Sequence, residues 1–169
     1  MKRLFRIEQG ILALLAMLVL MLSYYLQYVK DLEPCPLCLM QRFMMFGLLF
    51  FAIIGVFGYT RRRACVLILS ELLLTAGGLL FALRQVWLQS LPVADTGMCL
   101  PGIEALIHKL PWQDVVHAFI WGGSTGCGEV DWTFAGFSMP AWSAVYFGMI
   151  GLVSVFFLIR LCKHDRISD

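Results

Sequence analysis

Apolar residues fall into four long runs, 11–28, 39–59, 65–87 and 141–161, with the polar residues collected between them. Each run is close to the roughly 20 helical residues that cross a bilayer core, so the pattern predicts four transmembrane helices. The link at 29–38 is short and carries two prolines, which makes the first two helices antiparallel neighbours. Four spans return both termini to one side. The stretch 88–140 has a different composition, with prolines, glycines, aspartates and glutamates, and it reads as a large extramembrane loop. Within it Ile103, Leu106, Ile107 and Leu110 lie at helical spacing, and Val115, Val116, Phe119 and Ile120 do so again after Pro111. Two short amphipathic helices are expected there. They either lie flat on the membrane surface, with Trp112 and Trp121 beside them, or pack on each other as a small cap.

The first run follows Lys2, Arg3 and Arg6, as the apolar part of a signal peptide does. It ends, however, in Ser23-Tyr24-Tyr25-Leu26-Gln27-Tyr28 with no small-residue cleavage site, and tyrosines suit a membrane interface. A retained first helix is expected.

A hydrophobic share of 60%, a charged share of 14% and a mean hydropathy of +0.82 exclude an ordinary soluble domain of 169 residues. The net charge of +2 is small, and the basic residues sit at segment ends, which argues against a nucleic-acid partner. Their placement reports topology instead. Lys2, Arg3, Arg6, the basic turn Arg61-Arg62-Arg63, Arg160, Lys163 and Arg166 share one side; Lys30 and Lys109 lie on the other, with Arg42 and Arg84 near its membrane boundary. The positive-inside rule makes the first side cytoplasmic. The expected fold is an all-α integral membrane protein whose 88–140 loop and 29–38 link face outward, where disulfides persist.

Cys35, Cys38, Cys99 and Cys127 fall in those two outer segments. Pro36 pre-sets a helical φ and needs no donor, so it suits the first turn of the second helix. Cys38 then lies near a helix N-terminus, where unpaired amides and the positive dipole end favour a thiolate. Arg42, four residues on, shares the face of Cys38 and its guanidinium is a second reason for a thiolate there, while Glu33 disfavours a thiolate at Cys35. The asymmetry predicts that Cys35 is nearer water and Cys38 nearer lipid. Three readings of Cys35-Pro36-Leu37-Cys38 stand side by side: a redox dithiol, an inert staple, and half of a zinc site. Zinc wants a second CxxC or matched histidines, which Cys99 and Cys127 do not supply, and no histidine follows Cys38 to make a haem attachment site.

Cys99 and Cys127 each sit among glycines, Cys99 with prolines nearby, on tethers that a partner protein can grip or that a loop-closing staple can join. Cys65 and Cys162, on the cytoplasmic side, read as small hydrophobes. Glu71 lies inside the third span, a costly position that marks a functional group, or, about two turns from the basic end, an interfacial or helix-pairing one. For Arg84, headgroup binding and snorkelling are the two readings.

The pattern resembles the bacterial disulfide bond formation protein B family of inner-membrane thiol oxidoreductases. The resemblance is carried by Cys35-Pro-Leu-Cys38 with Arg42, the outer loop with Cys99 and Cys127, Trp132 behind it, Met139-Pro140-Ala141-Trp142 before the last helix, and Arg84-Gln85-Val86-Trp87-Leu88-Gln89 ending the third. It implies an antiparallel four-helix transmembrane bundle with a large periplasmic loop. It also implies a quinone reductase that reoxidises a periplasmic thioredoxin-fold oxidase of the DsbA type. On that resemblance Cys35, Cys38, Cys99 and Cys127 are the catalytic cysteines, with Cys99 and Cys127 as one disulfide. Arg42, Cys38 and Arg84 would hold a quinone, ubiquinone or menaquinone. The rival readings are a four-span scaffold stapled by disulfides, and a quinone-linked reductase of the vitamin K epoxide reductase type.

Overall fold

A computed structural model of the protein describes residues 2–30, 35–90 and 133–168, without the side chains of 162 and 164–168. The described chain forms α1 (Lys2–Lys30), α2 (Pro36–Phe57), α3 (Arg61–Gln89), a two-stranded hairpin of β1 (Thr133–Phe134) and β2 (Phe137–Ser138), and α4 (Met139–Ser168). Four of these helices are long and apolar enough to cross a membrane. The two amphipathic helices expected around 103–110 and 115–120, together with Cys99, Cys127 and Trp132, lie outside the described residues.

Every helix differs in extent from its apolar run. The first begins at Lys2 instead of 11, the third spans 61–89 instead of 65–87, and the fourth spans 139–168 instead of 141–161. Hydropathy marks only the lipid-facing part of a helix: the 29 residues of α1 rise about 44 Å, against a hydrocarbon core of roughly 30 Å. The ends carry basic and interfacial residues without losing backbone hydrogen bonds. Arg61, Arg62 and Arg63, expected as a turn, are the first turn of α3, and Arg61 Nη2 donates to the Leu161 carbonyl of α4 at 3.2 Å. The second helix is shorter than expected at its end, stopping at Phe57 because Gly58 is extended (φ −144°, ψ 114°) and Thr60 takes the N-cap position of α3. Met139-Pro140-Ala141-Trp142 opens α4 instead of preceding it.

Successive helices pack side by side, α1 on α2, α2 on α3 and α3 on α4, and all four feed one interior. Its central layer joins Leu12 and Leu20 of α1, Met45 and Leu48 of α2, and Phe147 and Ile150 of α4, with Leu74 of α3 packed against them. A second layer gathers Phe5, Ala64 and Ile68 at the end where the chain begins. The outer surface is unusually apolar: Phe43, Phe50, Leu73 and Leu152 are exposed, which suits helices whose solvent is lipid. Close helix contact needs small residues, and a Cβ on Gly78 would fall well inside 3.0 Å of the Phe147 ring.

The hairpin at 133–138, unforeseen from the sequence, turns at Ala135 and Gly136, both at positive φ (52° and 82°), as a type I′ turn requires. Trp142 seals it to α4: its Nε1 donates to the Phe134 carbonyl at 3.0 Å, and the Phe134 and Phe137 rings flank it. Ser138 Oγ donates to Gln89 Oε1 at 2.8 Å, joining β2 to the end of α3 just before α4 begins.

Apart from Thr75 and Ser154 at mid-helix, the buried polar side chains fall toward the two ends of the bundle. Gln41 and Gln85 lie near the start of α2 and the end of α3; Glu8, Gln9 and Glu71 lie near the start of α1 and in the first half of α3. Glu71 is fully buried, which favours the helix-pairing reading of its position. Gln9 lies beside both Glu8 and Glu71 without completing a well-formed hydrogen bond to either.

Candidate redox site at the mouth of the second helix

The start of α2 is shaped by its two cysteines. Cys35 is the N-cap residue (φ −68°, ψ 161°), and its Sγ accepts from the Cys38 backbone N–H at 3.4 Å. Pro36 takes the first helical position, where no N–H is wanted, and Leu39 N–H donates to the Cys35 carbonyl at 3.1 Å. This cap turns both side chains to the same side of the helix entry, with the two Sγ atoms 3.0 Å apart. Closing that gap to the roughly 2.05 Å of a disulfide requires only a small side-chain movement.

Cys35 is buried and packs with Leu37 and Leu88, whereas Cys38 is half-buried against the same cluster beside Phe81. Serving as the cap draws the Cys35 sulfur inward against the end of α3, so the cysteine at the helix mouth is the more buried of the two.

What faces the sulfurs is an amide. Gln85 Nε2 lies 3.2 Å from Cys38 Sγ and 3.4 Å from Cys35 Sγ, while Gln85 Oε1 accepts from Gln41 Nε2 at 2.9 Å. Sequence reading passed over both glutamines as site residues. Gln41 was visible only as a polar residue in an apolar run, and Gln85 only as one letter of a longer stretch. Their pairing across 44 positions has no local signal.

Arg42 is one turn beyond Cys38, but its side chain reaches across to α1. Its Nε donates to Ser23 Oγ at 2.7 Å, Nη1 to Gln27 Oε1 and Nη2 to the Ser23 carbonyl at 3.2 Å, and the guanidinium stands 5.1 Å over the Tyr24 ring. Tyr24 also lines an apolar groove of about 470 Å³ between α1 and α2, with Leu20, Met21, Phe46 and Leu49. Arg84 is half-buried on α3, about 100° around the helix from its neighbour Gln85. The structure thus brings Cys35, Cys38, Gln41 and Gln85 into one cluster and joins Arg42 to Ser23, Tyr24 and Gln27 beside it. Chemically, this is a thiol pair with its own hydrogen-bond donor next to a cation at a lipid-facing groove.

Residues 6–157 match the family described as disulfide bond formation protein DsbB. The chain is 43% identical over 136 residues to disulfide bond formation protein B of Hahella chejuensis, covering 79% of each chain. It is 37% identical over 161 residues to the protein of that name from Acinetobacter baumannii, covering 92% of each. Disulfide bond formation protein B 1 of Pseudomonas aeruginosa is 39% identical over 143 residues, 82% of this chain and 85% of the relative. With four membrane-spanning helices, a thiol pair at a helix mouth and a match over most of its length, the chain belongs to the DsbB family of membrane disulfide oxidoreductases.

Proposed function

We propose that the protein carries electrons from a periplasmic thioredoxin-fold oxidase of the DsbA type to a membrane quinone, through two cysteine pairs. A thiolate of the reduced partner attacks Cys99 of a Cys99–Cys127 disulfide, forming a mixed disulfide and releasing Cys127. The Cys127 thiolate attacks Cys35 of the oxidised Cys35–Cys38 pair and expels Cys38 as a thiolate. The partner's second thiolate then resolves its bond to Cys99, and Cys99 displaces Cys35 from Cys127, which restores the loop disulfide. Cys35 and Cys38 are left as a dithiol, whose reoxidation passes two electrons and two protons to the quinone. In sum, one partner dithiol and one quinone give one partner disulfide and one quinol. Exchange favours a good leaving thiolate, and the helix N-terminus at Cys38 provides for one.

The observation that carries this reading is the contact of the two sulfurs, 3.0 Å apart at the end of a membrane helix. The quinone is supported by the character of the neighbouring surface. A flat, apolar ring with carbonyl oxygens suits the Arg42 guanidinium over Tyr24, and a polyprenyl tail suits the groove that Tyr24 continues. Arg42 would bind the headgroup with Arg84 nearby, and bound quinone would supply the electron sink. The placement of the basic residues supports an orientation with the termini in the cytoplasm and the cysteine pairs in the periplasm, and the family likeness supports the inner membrane.

The test mixes the purified protein with a reduced CxxC partner and a soluble quinone, and follows quinone absorbance. Quinone reduction that depends on Cys38 and Cys99 is the expected result. Quinone that stays oxidised while all four outer cysteines remain disulfide-bonded would overturn the reading in favour of a stapled scaffold.

A further inference from the structure

We infer that Gln85, aimed by Gln41, is the donor that stabilises negative charge on the Cys35–Cys38 pair. This rests on the redox reading above and extends it to a residue outside both the CxxC and the arginine. A primary amide carries two hydrogens, and Nε2 lies at nearly equal distances from the two sulfurs, 3.2 and 3.4 Å, so one hydrogen is available to each. The other end of the amide is occupied, because Gln41 Nε2 donates to Oε1 at 2.9 Å. Turning the Gln85 amide over would set nitrogen against nitrogen and oxygen against the sulfurs. Gln41 and Gln85 are only 5% and 4% exposed, so water would not make good the loss. Gln41 is therefore a positioning residue, acting through Gln85.

The amide also suits both protonation states of Cys38. Its Oε1 is 3.6 Å from Cys38 Sγ, where it can receive the thiol hydrogen, and Nε2 meets the same sulfur as a thiolate. Hydrogen bonds to a charged group are about twice as strong as neutral ones, so the amide favours the thiolate over both the thiol and the uncharged disulfide. It does so without adding a net charge at the edge of the membrane. The consequence is that Gln85 shifts the pair toward its reduced form, making the disulfide a better oxidant.

The experiment uses the full chain in detergent with Cys99→Ser and Cys127→Ser, no quinone and no partner. Cys35–Cys38 is equilibrated with glutathione, dithiol plus oxidised glutathione giving disulfide plus two reduced glutathiones, and the thiol fraction is read by alkylation. Gln85→Met keeps the length of the side chain and removes its N–H groups; it should move the equilibrium about tenfold toward the disulfide. Gln85→Glu, close to isosteric, should move it further the same way at a pH high enough to ionise the introduced carboxyl and set a carboxylate beside the thiolate; below that pH the buried carboxyl keeps an O–H that can donate in the amide's place. The rate at which Cys38 reacts with iodoacetamide at neutral pH should fall in Gln85→Met. An equilibrium within twofold of the parent in Gln85→Met, or in Gln85→Glu across the pH range that ionises the carboxyl, would overturn the inference. Because no quinone enters, failure of quinone reduction in the parent would leave this readout intact.

Discussion

Arg42 of α2 donates from Nε to Ser23 Oγ of α1 at 2.7 Å, so the cation one turn beyond Cys38 is braced by the first helix, while the sulfurs themselves are met by the third. The helix mouth therefore has two separately supported halves. A planar guanidinium reaches Ser23 Oγ, the Ser23 carbonyl and Gln27 together, which an ammonium does not. Arg42→Lys should lower the unfolding free energy in detergent by about 1–3 kcal/mol. Under the proposed reaction it should also raise the quinone KM, and Ser23→Ala should reproduce part of that rise. An unchanged KM in both variants would reduce Arg42 to a snorkelling residue.

Gln41→Leu leaves Gln85 Oε1 buried and deprived of its donor at 2.9 Å. The expected cost is about 1–3 kcal/mol, read by denaturant unfolding. Because Gln41 acts through Gln85, the double variant with Gln85→Met should cost less than the sum of the two single changes. Strict additivity would contradict the coupling.

Gly78 is where α3 lets the fully buried Phe147 of α4 come close. Gly78→Ala places a methyl group against that ring and should destabilise by about 1–3 kcal/mol. Phe147→Leu in the same chain should recover part of the loss. Gly148→Ala, with nothing within 4 Å of the added Cβ, carries only the helix-propensity gain of alanine over glycine and serves as the clash-free comparison in the same thermal melts.

Glu71 is fully buried, and neither of its carboxylate oxygens has a hydrogen-bond partner among the described residues. Removing such a group relieves a desolvation cost, so Glu71→Met, which puts an apolar side chain of similar length in its place, should stabilise the bundle, by about 1–2 kcal/mol. Thiol oxidation in the same preparation decides what the residue is for. Activity retained alongside higher stability assigns Glu71 to packing, whereas activity lost alongside it marks a functional group held at the expense of stability.

Much of this was open to reading along the chain. Four apolar runs, basic residues gathered at alternate ends, and Pro36 behind Cys35 are local signals, since lipid selects apolar length and a helix start selects its cap one residue at a time. They determined the four spans, the placing of Cys38 near a helix N-terminus and the family resemblance. Hydropathy alone did not set the helix ends, because interfacial residues continue a helix that the apolar count has already left. The environment of the sulfurs was decided only by packing. That Cys35 turns inward, that Gln85 comes from 47 positions away to meet Cys38, and that Arg42 is held by Ser23 all depend on which helices lie side by side and at what height. A glutamine in an apolar run carries no mark of its partner, because hydrogen-bond geometry is a property of two helices in contact and not of either one.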